Sequence, residues 1–197
     1  MQRYRDSVVT NIRGHRIRWR VQLTTGAIVG AVSALVMLAI AMLLYPLFVD
    51  ASDPWSFAKV VSTALLGEDA ISPLAGFEAI PVAVGLVLHF LIGTLAGMAY
   101  AVLVAVFDLE GWTPVALFGL LFGAMLFVWS TAIVLAGLTP VDSRNFPLIV
   151  MFWGNIAFGL TAGIMLSRWA DRADIDQLEE ERVPVFEGQL DQERLLH

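Results

Sequence analysis

Hydrophobic residues in this chain are gathered into four long segments that contain no Asp, Glu, Lys or Arg. These uncharged segments are residues 21–48, 79–107, 112–141 and 145–167. A helix needs about 20 apolar residues to cross the roughly 30 Å hydrocarbon core of a bilayer, and helices satisfy their own backbone hydrogen bonds in lipid. The pattern therefore predicts an all-α, integral membrane four-helix bundle, with spans at about 21–48, 79–107, 113–140 and 146–168.

A shorter apolar segment lies between the first two spans, within residues 49–78. The pair Asp53-Pro54 has the form of a helix start, with an acidic N-cap followed by proline at the first helical position. The helix that follows ends at Gly67 and is too short to cross a membrane. Its aromatic and aliphatic side chains predict a short external interfacial helix, and a lid over the outer mouth of the bundle is the alternative. The prolines beyond it predict a loop at 68–78.

The composition agrees with a membrane protein and limits its chemistry. Hydrophobic residues make up 58% of the chain and the mean hydropathy is +0.75. Four spans and two terminal segments leave no part of the 197 residues for a separate soluble catalytic domain. The absence of cysteine excludes thiol catalysis, disulfides and metal–thiolate sites. We therefore expect no enzymatic activity, no catalytic residues, no metal site and no obligatory cofactor.

The distribution of arginines predicts the orientation in the membrane. Residues 1–20 contain six arginines and one acid, and such basic flanks are retained in the cytoplasm. Four crossings return the acidic tail, residues 170–197, to the same side, so both termini are predicted to be cytoplasmic. Topology and attraction to anionic lipid headgroups account for the basic segment, so we expect the lipid bilayer as a partner and no nucleic acid.

Small residues recur at fourfold spacing in all four spans. Such ridges let neighbouring helix backbones approach closely, which matters in lipid because no hydrophobic drive brings helices together there. The predicted helix-packing residues are Gly26, Gly30, Gly85, Gly93, Gly97, Gly119, Gly123, Asn155, Gly159 and Gly163. The asparagine belongs to this set because its amide can hydrogen-bond to a neighbouring helix. The ridges predict a compact bundle, and they leave open whether they face each other or another chain.

His89 is the one ionisable side chain deep in a predicted span, which makes it the candidate cofactor-binding residue. Gly85 and Gly93, one turn away on either side, leave room for a flat ligand or a close helix. The candidate roles are haem ligation, hydrogen bonding to a quinone, proton exchange, or a neutral structural histidine bonded across the bundle. For the structural role, the candidate partners are Tyr100, Ser130, Thr131 and Asn155. Trp129, also deep in a span, is predicted to pack in the core, and a platform for a cofactor is the alternative.

Three short motifs resemble a known family. They are the run GAIVGAVSAL from Gly26, then His89 with Gly97 and Tyr100 downstream, and the sequence GLTP at 137–140. Together they are similar to the YagU-type small inner-membrane proteins and related prokaryotic four-helix families, over residues 22–170. The resemblance implies a prokaryotic cytoplasmic (inner) membrane and a four-helix bundle, and it implies no particular activity.

Three functions are compatible with these features. The leading hypothesis is a non-catalytic accessory or assembly subunit, which packs its glycine ridges against a larger membrane complex. The first alternative is a small-solute or proton-linked permeation protein that forms a homo-oligomer and uses His89 and the external helix as its gate. The second is an electron-transfer protein that contacts haem or quinone through His89, although one buried histidine cannot complete a bis-histidine haem site.

Overall fold

The computed structural model describes the backbone of residues 2–109, 111–135 and 147–169, and the side chains within 22–109, 111–133 and 147–169. In this part of the chain there are five α-helices, one 3-10 helix and no strand. They are α1 (Gln2–Phe48), α2 (Ser56–Leu66), a 3-10 helix (Glu68–Ile71), α3 (Ala79–Val106), α4 (Trp112–Leu135) and α5 (Leu148–Trp169). The predicted all-α fold is confirmed. The predicted end of the third span at Pro140 and the acidic tail lie outside the described residues.

Four of the helices are long and apolar enough to cross a membrane. The candidate spans are Gln22–Phe48, Ala79–Val106, Trp112–Ile133 and Leu148–Trp169. The chain is therefore a multi-pass membrane protein whose helices contact the bilayer. One difference from the sequence expectation is that α1 begins at Gln2, so the basic segment continues the first span as a helix of 47 residues. Proline is absent from this segment before Pro46, which lies near the end of α1.

The glycine ridges pack against each other in two helix pairs. In the α1–α3 pair, a Cβ atom added to Gly97 would lie 2.5 Å from the backbone nitrogen of Gly30. In the α4–α5 pair, a Cβ atom added to Gly159 would lie 2.8 Å from the backbone nitrogen of Gly123. Carbon atoms do not approach backbone this closely, so only glycine permits these helix separations. The predicted ridges thus lie inside the chain rather than on its lipid-facing surface.

The remaining ridge glycines follow the same two pairings, except Gly85, which packs on α2. An added Cβ would lie 2.8 Å from the Ala101 Cβ at Gly26, 2.8 Å from the Ala116 Cα at Gly163, and 3.1 Å from the Gly163 Cα at Gly119. Gly93 faces the side chain of Ala34 in α1. These contacts place residue 22 of α1 and the end of α5 at the same end of the bundle as residues 107–109, which follow α3, and we call this the hairpin end.

Two hydrophobic clusters join the helices. The first lies towards the hairpin end and brings together all four spans through Val29, Ala34, Tyr100, Ala101, Val115, Phe122, Phe158, Ala162 and Leu166. The second lies at the opposite end, which we call the α2 end, and joins α1, α2 and α5 through Leu38, Ala41, Tyr45, Val49, Phe57, Val60, Val150 and Met151. The short helix is thus part of the packed core at the α2 end.

Candidate ligand-binding cleft

The predicted short helix after the first span is confirmed, but it begins at Ser56 and not at Pro54, and Asp53 binds the turn that leads into it. The Asp53 carboxylate accepts hydrogen bonds from the backbone N–H groups of Trp55, at 2.9 Å, and Ser56, at 3.0 Å. The Ser56 hydroxyl in turn accepts a hydrogen bond from the Asp53 N–H, at 2.9 Å. This reciprocal arrangement is a capping box, in which side chains satisfy the free N–H groups of the first turn. The helix ends where predicted, at Gly67.

The second carboxylate oxygen of Asp53 ties the following loop to the helix start. It accepts a hydrogen bond from the Gly76 N–H at 2.7 Å. Burial acts to raise the pKa of Asp53, but the hydrogen bonds from Gly76, Ser56 and Trp55 outweigh it and lower this pKa below its ordinary value. The predicted loop at 68–78 is in part a 3-10 helix, Glu68–Ile71, and is otherwise irregular.

Helix α2 packs on α3 at Gly85. A Cβ atom added at this glycine would lie 2.6 Å from the backbone carbonyl carbon of Ala58. The close approach predicted at Gly85 is therefore filled by another helix and not by a ligand. This packing against α3 buries one face of α2, including Phe57, Ala58 and Val60.

The side chain of Lys59 binds the loop at 68–78 from its buried side. Its side chain is fully buried, donates a hydrogen bond to the Pro73 carbonyl and lies 3.5 Å from the Glu78 carboxylate. Glu78 is the residue just before α3. The one lysine of the chain therefore joins α2, the loop and the start of α3.

His89 lies beneath α2 and hydrogen-bonds across the bundle. Its Nε2 atom is 2.9 Å from the backbone oxygen of Ala34 in α1. The imidazole also contacts the ring of Phe57 in α2 edge to face, with 5.5 Å between ring centroids. His89 is therefore a contact between three helices, and its partner is a backbone carbonyl.

None of the four side chains predicted as partners of His89 is hydrogen-bonded to it. Tyr100 donates to the Val115 carbonyl, Ser130 to the Phe127 carbonyl at 3.0 Å, and Asn155 to the Met151 carbonyl at 2.8 Å. The Thr131 hydroxyl has no partner among the described residues. The bond of Asn155 is made within its own helix, so it is not an interhelical bond. Its backbone instead packs against Gly123.

A cleft of about 160 Å³ opens beside His89. Its apolar walls come from all five helices. Its lining residues are Ala34, Met37, Phe57, Val61, His89, Ile92, Gly93, Ala96, Leu126, Trp129, Ser130, Met151, Asn155 and Phe158. Ile92 of α3 and Trp129 of α4 are 55% and 61% exposed, so the mouth lies between these two helices and faces the surrounding lipid. Such a concave apolar space with a few polar groups is the usual form of a ligand site.

Trp129 corrects one prediction from the sequence. It lies at the mouth of the cleft with most of its surface exposed and does not pack in the core. An indole within the bilayer region at a cleft mouth can contact lipid or a ligand. The sequence did not indicate that Phe57 and Val61 would line this space, because α2 is far from α4 and α5 in the chain.

Among the described residues that line the cleft, His89 alone is ionisable. The residues that the structure describes contain no group of three His, Cys, Asp or Glu side chains that could hold a metal ion. The cleft can therefore offer hydrogen bonds and apolar contact to an uncharged molecule. Comparison with known proteins adds nothing to this description, since no protein-family model, curated protein or solved structure matches the chain.

Proposed function

We propose that this protein is a non-catalytic membrane protein that holds a lipophilic molecule in the cleft between α3 and α4. The observation that carries this proposal is the cleft itself, which combines an apolar wall, a mouth towards lipid and three polar side chains, His89, Ser130 and Asn155. An apolar molecule dissolved in the bilayer would reach the cleft without crossing water. The polar side chains would orient one polar group of the occupant.

The proposal excludes catalysis because the described lining of the cleft contains one ionisable side chain. General acid–base and nucleophilic mechanisms ordinarily combine two or more reactive groups in hydrogen-bonding reach of one another. The hydrogen-bond partner of His89 is a backbone carbonyl, and no described side chain is hydrogen-bonded to the imidazole to activate it.

The cellular setting is part of the proposal. Basic residues 1–20 support a cytoplasmic N-terminus, and the resemblance to YagU-type proteins supports the inner membrane of a prokaryote. The start of the first span and the end of α5 lie at the hairpin end, which would then face the cytoplasm. In this orientation α2 would cover the outer end of the bundle.

The other functions considered from the sequence are less well supported. An accessory subunit was expected to present its glycine ridges to a partner, but the described ridges are occupied by helices of the same chain. A permeation path along the α1–α3 or α4–α5 contact has no room, since the backbones touch there. Haem ligation through Nε2 would require breaking the bond from His89 to Ala34.

The proposal is tested by isolating the tagged protein from its native membrane in mild detergent, followed by native mass spectrometry. We expect a small lipophilic molecule to remain bound to the wild type and to be lost from Ala96→Phe, which fills the cleft. The matched control is Ala99→Phe, on the same helix but exposed outside the cleft. Equal occupancy in both variants would contradict the proposal, and stoichiometric protein companions without a small molecule would favour the accessory subunit.

A further inference from the structure

We infer that the cleft selects a single-ring molecule with a hydroxyl group, of the phenol or quinol class, over the corresponding ether or ketone. This inference rests on the proposed function, because it names the class of ligand for the same cleft. It follows from which hydrogen-bonding atoms the protein already uses and which it leaves free.

The tautomer of His89 is set by its partner. The backbone carbonyl of Ala34 can accept a hydrogen bond but cannot donate one, so the Nε2 atom 2.9 Å away carries the hydrogen. In the neutral imidazole the other nitrogen, Nδ1, then has a lone pair and acts as an acceptor. Nδ1 has no hydrogen-bond partner among the described residues, and it is not one of the buried polar atoms that lack a partner there, which are Ser33 Oγ and Thr131 Oγ1. It therefore keeps accessible surface in a residue that lines the cleft.

The other two polar side chains of the cleft, Ser130 and Asn155, each donate a hydrogen bond to a backbone carbonyl of their own helix. Ser130 donates its hydroxyl hydrogen to the Phe127 carbonyl, which leaves its oxygen as an acceptor. Asn155 donates one amide hydrogen to the Met151 carbonyl, which leaves its Oδ1 as an acceptor and one N–H as a donor. The three residues together present three acceptors and one donor. A ligand carbonyl oxygen next to Nδ1 would bring two acceptors together, because neither atom carries a hydrogen. A ligand hydroxyl would instead donate a hydrogen bond to Nδ1.

The size of the cleft favours one ring. An apolar cavity of about 150 Å³ is known to hold a benzene molecule, and this cleft measures about 160 Å³. Phe57, Phe158 and Trp129 supply aromatic contacts in its wall. An alkyl tail on the ring would leave through the mouth between α3 and α4 and lie in the bilayer.

Two probes that differ at one group test this inference. 4-Octylphenol and 4-octylanisole share the ring and the tail, but the anisole replaces the O–H with O–CH3 and cannot donate a hydrogen bond. We expect the wild type, titrated in detergent micelles by native mass spectrometry, to bind the phenol about five- to tenfold more tightly, which corresponds to one net hydrogen bond. 1-Dodecanol, a hydroxyl without a ring, should bind more weakly than the phenol.

The role of His89 is tested with His89→Phe, which keeps a ring against Phe57 and removes Nδ1. We expect the preference for the phenol to fall to about onefold while the affinity for the anisole is kept. A preference that survives His89→Phe but disappears in Asn155→Leu would overturn the assignment to His89. If dodecanol bound as tightly as the phenol, the inferred selection for a ring would be overturned.

The wild-type titration separates the two proposals and does not depend on whether a variant folds. Equal affinity for the phenol and the anisole would overturn the hydroxyl preference and leave the cleft as a ligand site. Binding of neither probe would overturn the proposed function together with this inference.

Discussion

Gly97 of α3 lies directly against Gly30 of α1, with no space for a Cβ atom between the two backbones. We expect Gly97→Ala to lower the free energy of unfolding by about 1–3 kcal/mol, because the added methyl group would force the helices apart. The matched control is Gly154→Ala, whose added Cβ would meet only the flexible Met37 side chain, at 3.2 Å. Unfolding in mixed micelles titrated with SDS measures both changes, and equal stabilities would show that the α1–α3 contact is looser than described.

Because Gly85 of α3 lies so close to the Ala58 backbone, we predict that one methyl group added at position 85 detaches α2 from α3. We expect Gly85→Ala to raise the rate at which a maleimide labels a cysteine placed at the buried Val60 position by about tenfold, equivalent to a loss of about 1.4 kcal/mol in docking. The natural absence of cysteine gives this reporter a clean background. Ala83→Val adds bulk on the same helix at an exposed position and should leave the rate unchanged. Similar rates in both variants would argue against docking at Gly85.

The buried ammonium group of Lys59 predicts an order of stabilities for two variants. Glu78→Gln removes the carboxylate but leaves the buried lysine in place, whereas Lys59→Met removes the buried charge and keeps an apolar side chain of similar length. An unpaired buried charge is more costly than its replacement by an apolar group, so Glu78→Gln should destabilise α2 docking more than Lys59→Met does. The same cysteine-labelling assay measures this order. The reverse order would mean that Lys59 acts through its bond to Pro73 and not through Glu78.

The lowered pKa of Asp53 predicts that the segment 49–78 loosens in acid. A carboxyl group whose pKa is lower in the folded state stabilises that state above its unfolded pKa, and this stabilisation is lost as the pH falls through the folded value. Pepsin is active in this range and can report cleavage within residues 49–78. At pH 4 we expect the wild type to be cleaved more slowly than Asp53→Asn, and the difference should shrink as the pH falls further. A difference that persists unchanged to pH 2 would contradict this account.

The sequence predicts the helices well because their signals are local. The length of each uncharged segment determines whether a helix can span, and the acidic residue before Pro54 marks the start of α2. The pairing of the ridges was not predictable, since a glycine every four residues indicates close packing but does not identify the partner helix. In the structure the glycine ridge of α3 packs against α1, although α4 is the helix that follows α3 in the chain.

The cleft was only partly predictable for two physical reasons. His89 was identified because an ionisable group deep in a span is unusual, but its partner is the Ala34 carbonyl, and every residue has such a group. Trp129 was misplaced because α4 is apolar around its whole circumference, so the sequence gives no information on which face points outward. The cleft is lined by side chains from all five helices, so it can be located only from the three-dimensional packing of these helices.

Photo-crosslinking from the mouth of the cleft tests the central claim most directly. With p-benzoylphenylalanine in place of Trp129, irradiation in native membranes should give one predominant adduct whose mass differs from those of the bulk phospholipids. The same residue in place of Leu121, which is exposed elsewhere on α4, should give adducts of bulk phospholipid only. Identical adduct distributions at the two positions would contradict the claim that the cleft holds a specific lipophilic molecule.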